Sequence, residues 1–164
     1  MSREYITSLD NATVVASQVA VFLNPKAAPS SAVEVLRCWF SQRANATSAQ
    51  LGVSIFMQPT GFPTMSSAGA TPGLTKLGDP ISLLVAGVGA TGSSGVNGSA
   101  SGTGTQTLLY PDNFNALNGW LWVATPPETY VVGAGATSGV GTKWTMAPGT
   151  LTGWTFGICY REIG

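Results

Sequence analysis

Side chains able to perform acid–base or nucleophilic chemistry are scarce in this chain of 164 residues, which has no histidine, seven carboxylates and two cysteines. Without histidine, the sequence lacks the usual general base of serine and cysteine hydrolases and the commonest metal ligand. Cys38 and Cys159 lie in apolar runs typical of strands, which favours two buried thiols. A disulfide between neighbouring strands stays open, because it depends on a geometry that sequence alone does not fix.

Three of the acidic residues lie in turn-forming contexts, namely Asp79-Pro80, Pro111-Asp112-Asn113 and Pro127-Glu128. Asp and Asn in such contexts commonly bond their own backbone, which favours a turn role over the facing carboxylate pair of a glycosidase. A calcium site at Asp112, Asn113 and Asn115 would have one carboxylate, whereas calcium usually binds about six to eight oxygens, several of them from carboxylates. We therefore predict that the chain is not an enzyme and has no catalytic residue, metal or cofactor.

One motif resembles a nucleotide site. The run Gly87-Val88-Gly89-Ala90-Thr91-Gly92 matches the pattern G-x-G-x-x-G, and Asp112 follows 20 residues later, where a ribose-binding acid would lie. That pattern binds pyrophosphate because its last glycine opens a helix whose N-terminus faces the anion. Here Ser93-Ser94-Gly95-Val96-Asn97-Gly98-Ser99 follows, which is a very poor helix-forming sequence. We therefore attribute the match to chance in a glycine-rich tract.

The composition favours a chain whose surface is covered by neighbours. Charged residues make up 9% of the sequence, against about 25% in typical domains, while apolar residues make up 44%. Because a freely diffusing domain usually keeps a charged surface, the deficit suggests packing into an assembly, with a neutral secreted or thermophilic domain as the alternative. The net charge is zero and no basic stripe occurs, which argues against nucleic-acid binding and against electrostatic membrane binding.

Targeting signals are not evident in the sequence. The segment Met1-Ser2-Arg3-Glu4-Tyr5 lacks the apolar core of a secretory signal, and no apolar run reaches about 18 residues. Asn11, Asn45 and Asn97 fit the glycosylation triplet, which we attribute to the abundance of Asn, Ser and Thr. We therefore expect a protein without a transmembrane helix, made in a cytoplasm.

Strand patterns dominate the chain. Short apolar or alternating runs are separated by Gly, Pro and Asn, and no helical stripe exceeds two turns. The clearest alternation places Trp154, Phe156, Ile158 and Tyr160 on one face. This spacing predicts an all-β fold, an antiparallel, jelly-roll-like β-sandwich of about 8–9 strands. The predicted strands are 14–23, 33–40, 51–57, 81–86, 106–110, 120–124, 129–132, 140–146 and 154–160.

A single domain over residues 13–164 is predicted, preceded by an N-terminal arm of residues 1–12 that could pair with a neighbouring subunit. Residues 87–105 form a stretch of Gly, Ser, Thr and Ala that we expect to be a long loop. Such a loop is either a mobile linker or a segment that becomes ordered against a neighbour. No charged residue occurs in 80–111.

The strand at 120–124 is apolar on both faces, since Trp120 and Trp122 point one way and Leu121 and Val123 the other. A strand of this kind has a neighbour on each side, so the outer face is covered either by a second chain or by a loop. As candidate assembly-interface residues the sequence offers Arg3, Tyr5, Trp120 and Trp122.

Two segments of the C-terminal half carry a resemblance. They are residues 112–128, DNFNALNGWLWVATPPE, and residues 151–162, LTGWTFGICYRE, in which Thr-Gly-Trp enters the last strand before a terminal Arg-Glu. This pattern resembles small β-sandwich proteins that decorate the heads of tailed bacteriophages. The resemblance implies a jelly-roll subunit, a homotrimer on the capsid surface that clamps the lattice of the major capsid protein, with no catalytic residues.

Two functions from different classes follow. The first is a structural virion protein, a capsid decoration or cement subunit, whose attachment is strengthened by multivalency. The second is a carbohydrate- or receptor-binding β-sandwich module of a phage fibre, in which exposed aromatic side chains stack on sugar rings. A glycosidase-like enzyme is a third and weaker class, because it needs two carboxylates facing each other in a cleft.

Overall fold

The computed structural model describes residues 3–14, 19–25, 32–43, 48–87, 92–133 and 138–164. Within these ranges the chain is all-β, without helices, and consists of two sheets that are antiparallel except for one two-residue parallel pair. The described residues contain no helix with the length and hydropathy to cross a membrane.

Thirteen strands are present in the described part of the chain. They are β1 (Arg3–Ala12), β2 (Val19–Asn24), β3 (Ala32–Gln42), β4 (Gln50–Gln58), β5 (Thr64–Ser66), β6 (Gly73–Leu74), β7 (Val85–Ala86), β8 (Ser93–Ala100), β9 (Thr107–Asn115), β10 (Trp120–Val123), β11 (Tyr130–Val132), β12 (Gly139–Trp144) and β13 (Trp154–Ile163).

The strand order is that of a jelly roll. Sheet A runs β10-β3-β13-β1-β6, with β11 also paired to β3, and sheet B runs β5-β8-β2-β12-β4-β9, with β7 paired to β8. Eight of these strands form the two four-stranded layers β1-β13-β3-β10 and β2-β12-β4-β9, whose connections, apart from that between β4 and β9, pass from sheet to sheet. The strands β5 to β8 belong to an insertion between β4 and β9 that widens both sheets. The predicted antiparallel, jelly-roll-like sandwich is therefore confirmed.

The core between the sheets is aromatic. Trp144 of sheet B lies with its ring centroid 4.9 Å from that of Phe40 and 5.2 Å from that of Trp154, both in sheet A. Phe156, Ile158 and Tyr160 are fully buried at alternate positions of β13, as their spacing predicts. These contacts fix the separation of the two sheets and hold β3 and β13 rigidly in the middle of sheet A.

Each of the nine predicted strands overlaps a strand of the structure, although 81–86 retains only Val85–Ala86. Four further strands, β1, β5, β6 and β8, were not predicted. Residues 3–12, predicted as part of an arm, form β1, which pairs with β13 from Arg3 opposite Glu162 to Ala12 opposite Trp154. These ten residues are thus part of sheet A itself.

The predicted long loop at 87–105 instead contains β8, which lies between β5 and β2 in sheet B. Its small residues are required by close packing, because a Cβ at Gly95 would lie 2.3 Å from the Met65 Cβ. Ser94 Oγ donates to the Ala70 carbonyl, and Val96 is fully buried. Residues 101–105 form no strand, and residues 88–91 of that stretch lie outside the described residues.

Candidate functional site

Three of the four predicted interface residues are buried within the chain. Tyr5 is fully buried and donates from its hydroxyl to the Pro80 carbonyl at 2.9 Å. Trp120 and Trp122 are 8% and 7% exposed and face the core. Trp120 Nε1 donates to Asp112 at 2.9 Å. Arg3, at the start of β1, is exposed.

The outer face of β10 is exposed. Leu121 and Val123, which alternate with the buried tryptophans, are 63% and 53% exposed. Val131 on β11, which follows β10 along the same edge of β3, is exposed as well. A contact made by this strand would therefore involve Leu121 and Val123 rather than Trp120 and Trp122. Within the described ranges, no loop of the chain covers these side chains.

A loop of residues 75–84, named here the anchored loop, crosses the end of sheet A. Glu162 holds it, because its carboxylate accepts hydrogen bonds from the Ser82 hydroxyl and from the Leu83 N–H at 2.9 Å. The Tyr160 hydroxyl lies 3.0 Å from Ser82 Oγ. Burial of the phenol raises the pKa of Tyr160. The Tyr5 bond to Pro80 adds a further attachment. The loop is therefore fixed in place by side chains of the core strands.

The anchored loop nevertheless exposes large aliphatic side chains. Leu77 is fully exposed and Ile81 is 83% exposed, and Leu74 and Val85 at its two flanks are also exposed. Exposed single aliphatic residues are ordinary, but several on one firmly held loop indicate a surface that another molecule covers.

A second exposed feature is a shallow cavity of about 280 Å³ at the β3–β10 edge of sheet A. Trp39, Ser41, Asn118, Gly119 and Leu121 line it on the surface, and the chain passing through Phe40 and Trp120 forms its floor. We name it the Trp39 pocket. Its lining includes no charged residue.

The Trp39 indole is held close to the sheet because its neighbour on β13 is a glycine. A Cβ on Gly157 would lie 2.2 Å from Trp39 Cζ2, so only glycine leaves room for the ring. On β3, the Arg37 guanidinium carbon lies 5.4 Å from the centroid of the Trp39 ring, within cation–π range. Trp39 is thus half-buried, with its position set by β13 and Arg37.

The acidic side chains around this face are already paired. Arg161 on β13 binds Glu4 at 3.0 Å and Glu34 at 3.1 Å, and the hydrogen bond to Glu4 raises the pKa of Arg161. Among the residues that the structure describes, no carboxylate pairs with Arg37. The guanidinium next to Trp39 therefore remains available to an anion.

The residues considered for chemistry have structural contacts. Asp112 accepts from Trp120 Nε1 and from the Asn113 N–H, and Asn115 Oδ1 accepts from the Leu117 N–H at 3.0 Å. These local bonds agree with the predicted backbone role of this acidic segment. Over the described ranges, no group of three or more His, Cys, Asp or Glu side chains could hold a metal ion.

The two cysteines are buried free thiols, as predicted. Burial raises the pKa of the Cys38 thiol, which faces the core. Cys159 follows Ile158 on β13 and points to the opposite side of sheet A. Burial raises its pKa too, although Arg37 acts in the other direction.

The Trp39 pocket was not predicted from the sequence. A signal was present, since Trp39 falls at an outward position of a strand whose Cys38 and Phe40 face inward. The opposing Gly157 could not be recognised, because the pairing of β3 with β13 joins residues more than one hundred positions apart and spacing alone does not fix its register. No protein-family model matches the chain, and no curated protein sequence matches it.

Proposed function

We propose that this protein is a structural virion subunit, a decoration or cement protein that packs in several copies on a capsid lattice and performs no catalysis. The single observation that carries the proposal is the anchored loop, in which Leu77 and Ile81 are held out into solvent by bonds to Glu162 and Tyr5. Burying an aliphatic side chain of this size contributes about 1.5–3 kcal/mol. A fixed loop avoids part of the ordering cost when it docks.

Fold and composition support the same proposal. Jelly rolls serve as coat subunits of viruses and also as lectin domains, so the topology is compatible with assembly without establishing it. A chain with 9% charged residues has little charge repulsion to overcome when copies pack side by side. Several copies on one lattice would bind with an avidity well above that of one loop, which suits the expected homotrimer.

Binding of purified protein to capsid shells that lack it tests the proposal. We expect the wild-type protein to co-sediment with the shells at fixed stoichiometry and the double variant Leu77→Ser, Ile81→Ser to bind at least about tenfold more weakly. A matched control is Leu108→Ser, Met146→Ser, which alters two exposed apolar side chains outside the loop. Urea unfolding of each variant verifies that the fold is retained.

The outcomes separate the proposal from its alternatives. If the wild-type protein fails to bind the shells, or if mass measurement shows monomers both in solution and on particles, the structural role is excluded. If the loop variant binds as strongly as the control, the anchored loop is not the contact.

A further inference from the structure

The Trp39 pocket has no part in the proposed contact with the lattice. Along β13, Gly157 lies beneath Trp39 and Glu162 holds the anchored loop. Five residues of extended chain separate these positions, which corresponds to roughly 17 Å. A particle that is held through the loop would therefore leave the pocket free for a different ligand.

The pocket offers an aromatic wall beside an aliphatic one. The Trp39 ring is fixed by Gly157 and by Arg37, and Leu121 forms the opposite side of the cavity. A pyranose ring has an apolar face of C–H groups, and its removal from water against an indole is favourable. Because the ring is already held in place, little side-chain entropy is lost on binding.

The remaining lining can bond sugar hydroxyls. The Asn118 amide provides two donors and an acceptor, and the Ser41 hydroxyl donates and accepts. Both residues are exposed and line the cavity, while the Asn118 backbone N–H is used within its own turn by the Asn115 carbonyl. Polar groups of this kind around a largely apolar cavity are typical of small-ligand sites.

Charge selects the class of sugar. The pocket lining carries no carboxylate, and the acids Glu4 and Glu34 are both paired with Arg161, whose single charge offsets one of the two. Arg37 lies outside the lining itself, with its guanidinium carbon 5.4 Å from the centroid of the Trp39 ring, and no described carboxylate pairs with it. A guanidinium binds carboxylates through two parallel hydrogen bonds, so an acidic substituent on the sugar would gain a contact that a neutral sugar lacks.

We propose that the Trp39 pocket binds an acidic glycan, with one sugar ring packed against Trp39 and Leu121, its hydroxyls bonded by Asn118 and Ser41, and its carboxylate bonded by Arg37. This inference goes beyond the proposed assembly role and does not depend on it. It assigns a site to the glycan recognition that the sequence suggests as a second function. A subunit displayed on a particle would thereby also contact acidic saccharides of a cell surface.

Titration calorimetry and tryptophan fluorescence with two matched pairs of sugars test the proposal. The pairs are 3′-sialyllactose with lactose and tri-galacturonate with maltotriose. We expect at least one acidic sugar to bind saturably, about tenfold or more tightly than its neutral partner. Arg37→Gln should reduce the affinity for the acidic sugar to that for the neutral one, and Trp39→Ala should abolish saturable binding of both.

Further variants guard against misfolding and non-specific binding. Asn118→Ala with Ser41→Ala alters exposed polar groups only, and should weaken binding about tenfold or more without changing the urea unfolding curve. Leu77→Ser lies in the anchored loop and should bind the sugar as the wild type does. Failure of both acidic sugars to bind, equal affinity for the acidic and neutral partners, or full binding by Trp39→Ala would overturn the proposal. The shell-binding experiment on the anchored loop is unaffected by any of these results.

Discussion

The outer faces of the two sheets differ in what covers their aromatic side chains. On sheet B, Phe22 and Phe56 stack with ring centroids 5.8 Å apart, and Phe62 and Met65 from the insertion after β4 close over them. Phe56 is fully buried as a result. On sheet A, Trp39 lies on the outer face beside Arg37 and Leu121, and it stays half-buried.

The difference shows which aromatic groups the fold needs. Covering Phe22 and Phe56 takes a segment of the insertion, including β5, which pairs with β8. Among the described residues no such cover lies over Trp39, and a glycine lies beneath the ring instead. A residue that is held firmly by the fold and left uncovered is better explained by contact with another molecule than by folding stability.

The largest effect expected from this comparison concerns the two aromatic side chains themselves. Phe56→Ala removes a fully buried ring and leaves a cavity beneath Phe62 and Met65, so we expect a loss of about 3–5 kcal/mol in the free energy of unfolding. Trp39→Ala removes a half-buried ring from an open face and should cost about 1 kcal/mol. Urea unfolding of the two variants, followed by circular dichroism, measures both losses.

Equal losses for the two variants would contradict the comparison. In that case Trp39 would be as structural as Phe56, and its role in ligand binding would lose its main physical argument. Leu121→Ala serves as a control, because it shortens an exposed side chain on the same open face. It should change the free energy of unfolding by less than about 0.5 kcal/mol.

Two glycines allow a sharper version of the comparison. Gly95→Ala on the covered face would bring a Cβ within 2.3 Å of the Met65 Cβ, which cannot move without displacing β5. We expect it to cost about 2–3 kcal/mol. Gly157→Ala on the open face would contact the end of the Trp39 indole, which can turn outward into solvent, although Ser8 must also shift. It should cost about 1 kcal/mol.

Fluorescence distinguishes the two responses. Gly157→Ala should alter the emission of Trp39 by moving the ring into water, while Gly95→Ala should lower stability without moving a tryptophan. A Gly157→Ala protein with unchanged emission and a large loss of stability would show that Trp39 is fixed as tightly as a core residue.

The architecture was predictable because the apolar pattern of the main strands is regular. Trp154, Phe156, Ile158 and Tyr160 alternate, and all four are buried as that pattern indicates. The strand β8 could not be predicted, since its Ser and Gly residues are typical of a loop. Gly95 belongs to a strand because β8 pairs with β2 and with β5, whose Met65, thirty residues earlier in the chain, packs onto it. Contacts of that kind are set by tertiary packing and leave no local signal.

The candidate surfaces were less predictable than the fold. The alternation at 120–123 did show two apolar faces, but which face would remain exposed depends on how β10 pairs with β3. The same holds for Tyr5, which the sequence placed with Arg3, Glu4 and Asp10 in an N-terminal arm. It is buried because β1 lies between β13 and β6. Exposure follows from strand order, which the spacing of residues does not determine.

The smallest expected effect concerns Tyr160, a side chain of sheet A that is covered where the anchored loop crosses it. Burial raises the pKa of Tyr160 in the folded protein above its ordinary value of about 10. Because the folded-state pKa is the higher one, this contribution to stability is complete below about pH 10 and is lost as the pH rises towards the folded-state pKa. We therefore expect the free energy of unfolding to fall by about 1 kcal/mol per pH unit above pH 10 on account of Tyr160.

Urea unfolding at intervals between pH 8 and 11 measures the slope of stability against pH. Tyr160→Phe, which keeps the ring but cannot ionise, should reduce that slope. An unchanged slope in Tyr160→Phe would mean that the anchored loop admits water to this side chain. The loop would then not hold Leu77 and Ile81 in fixed positions.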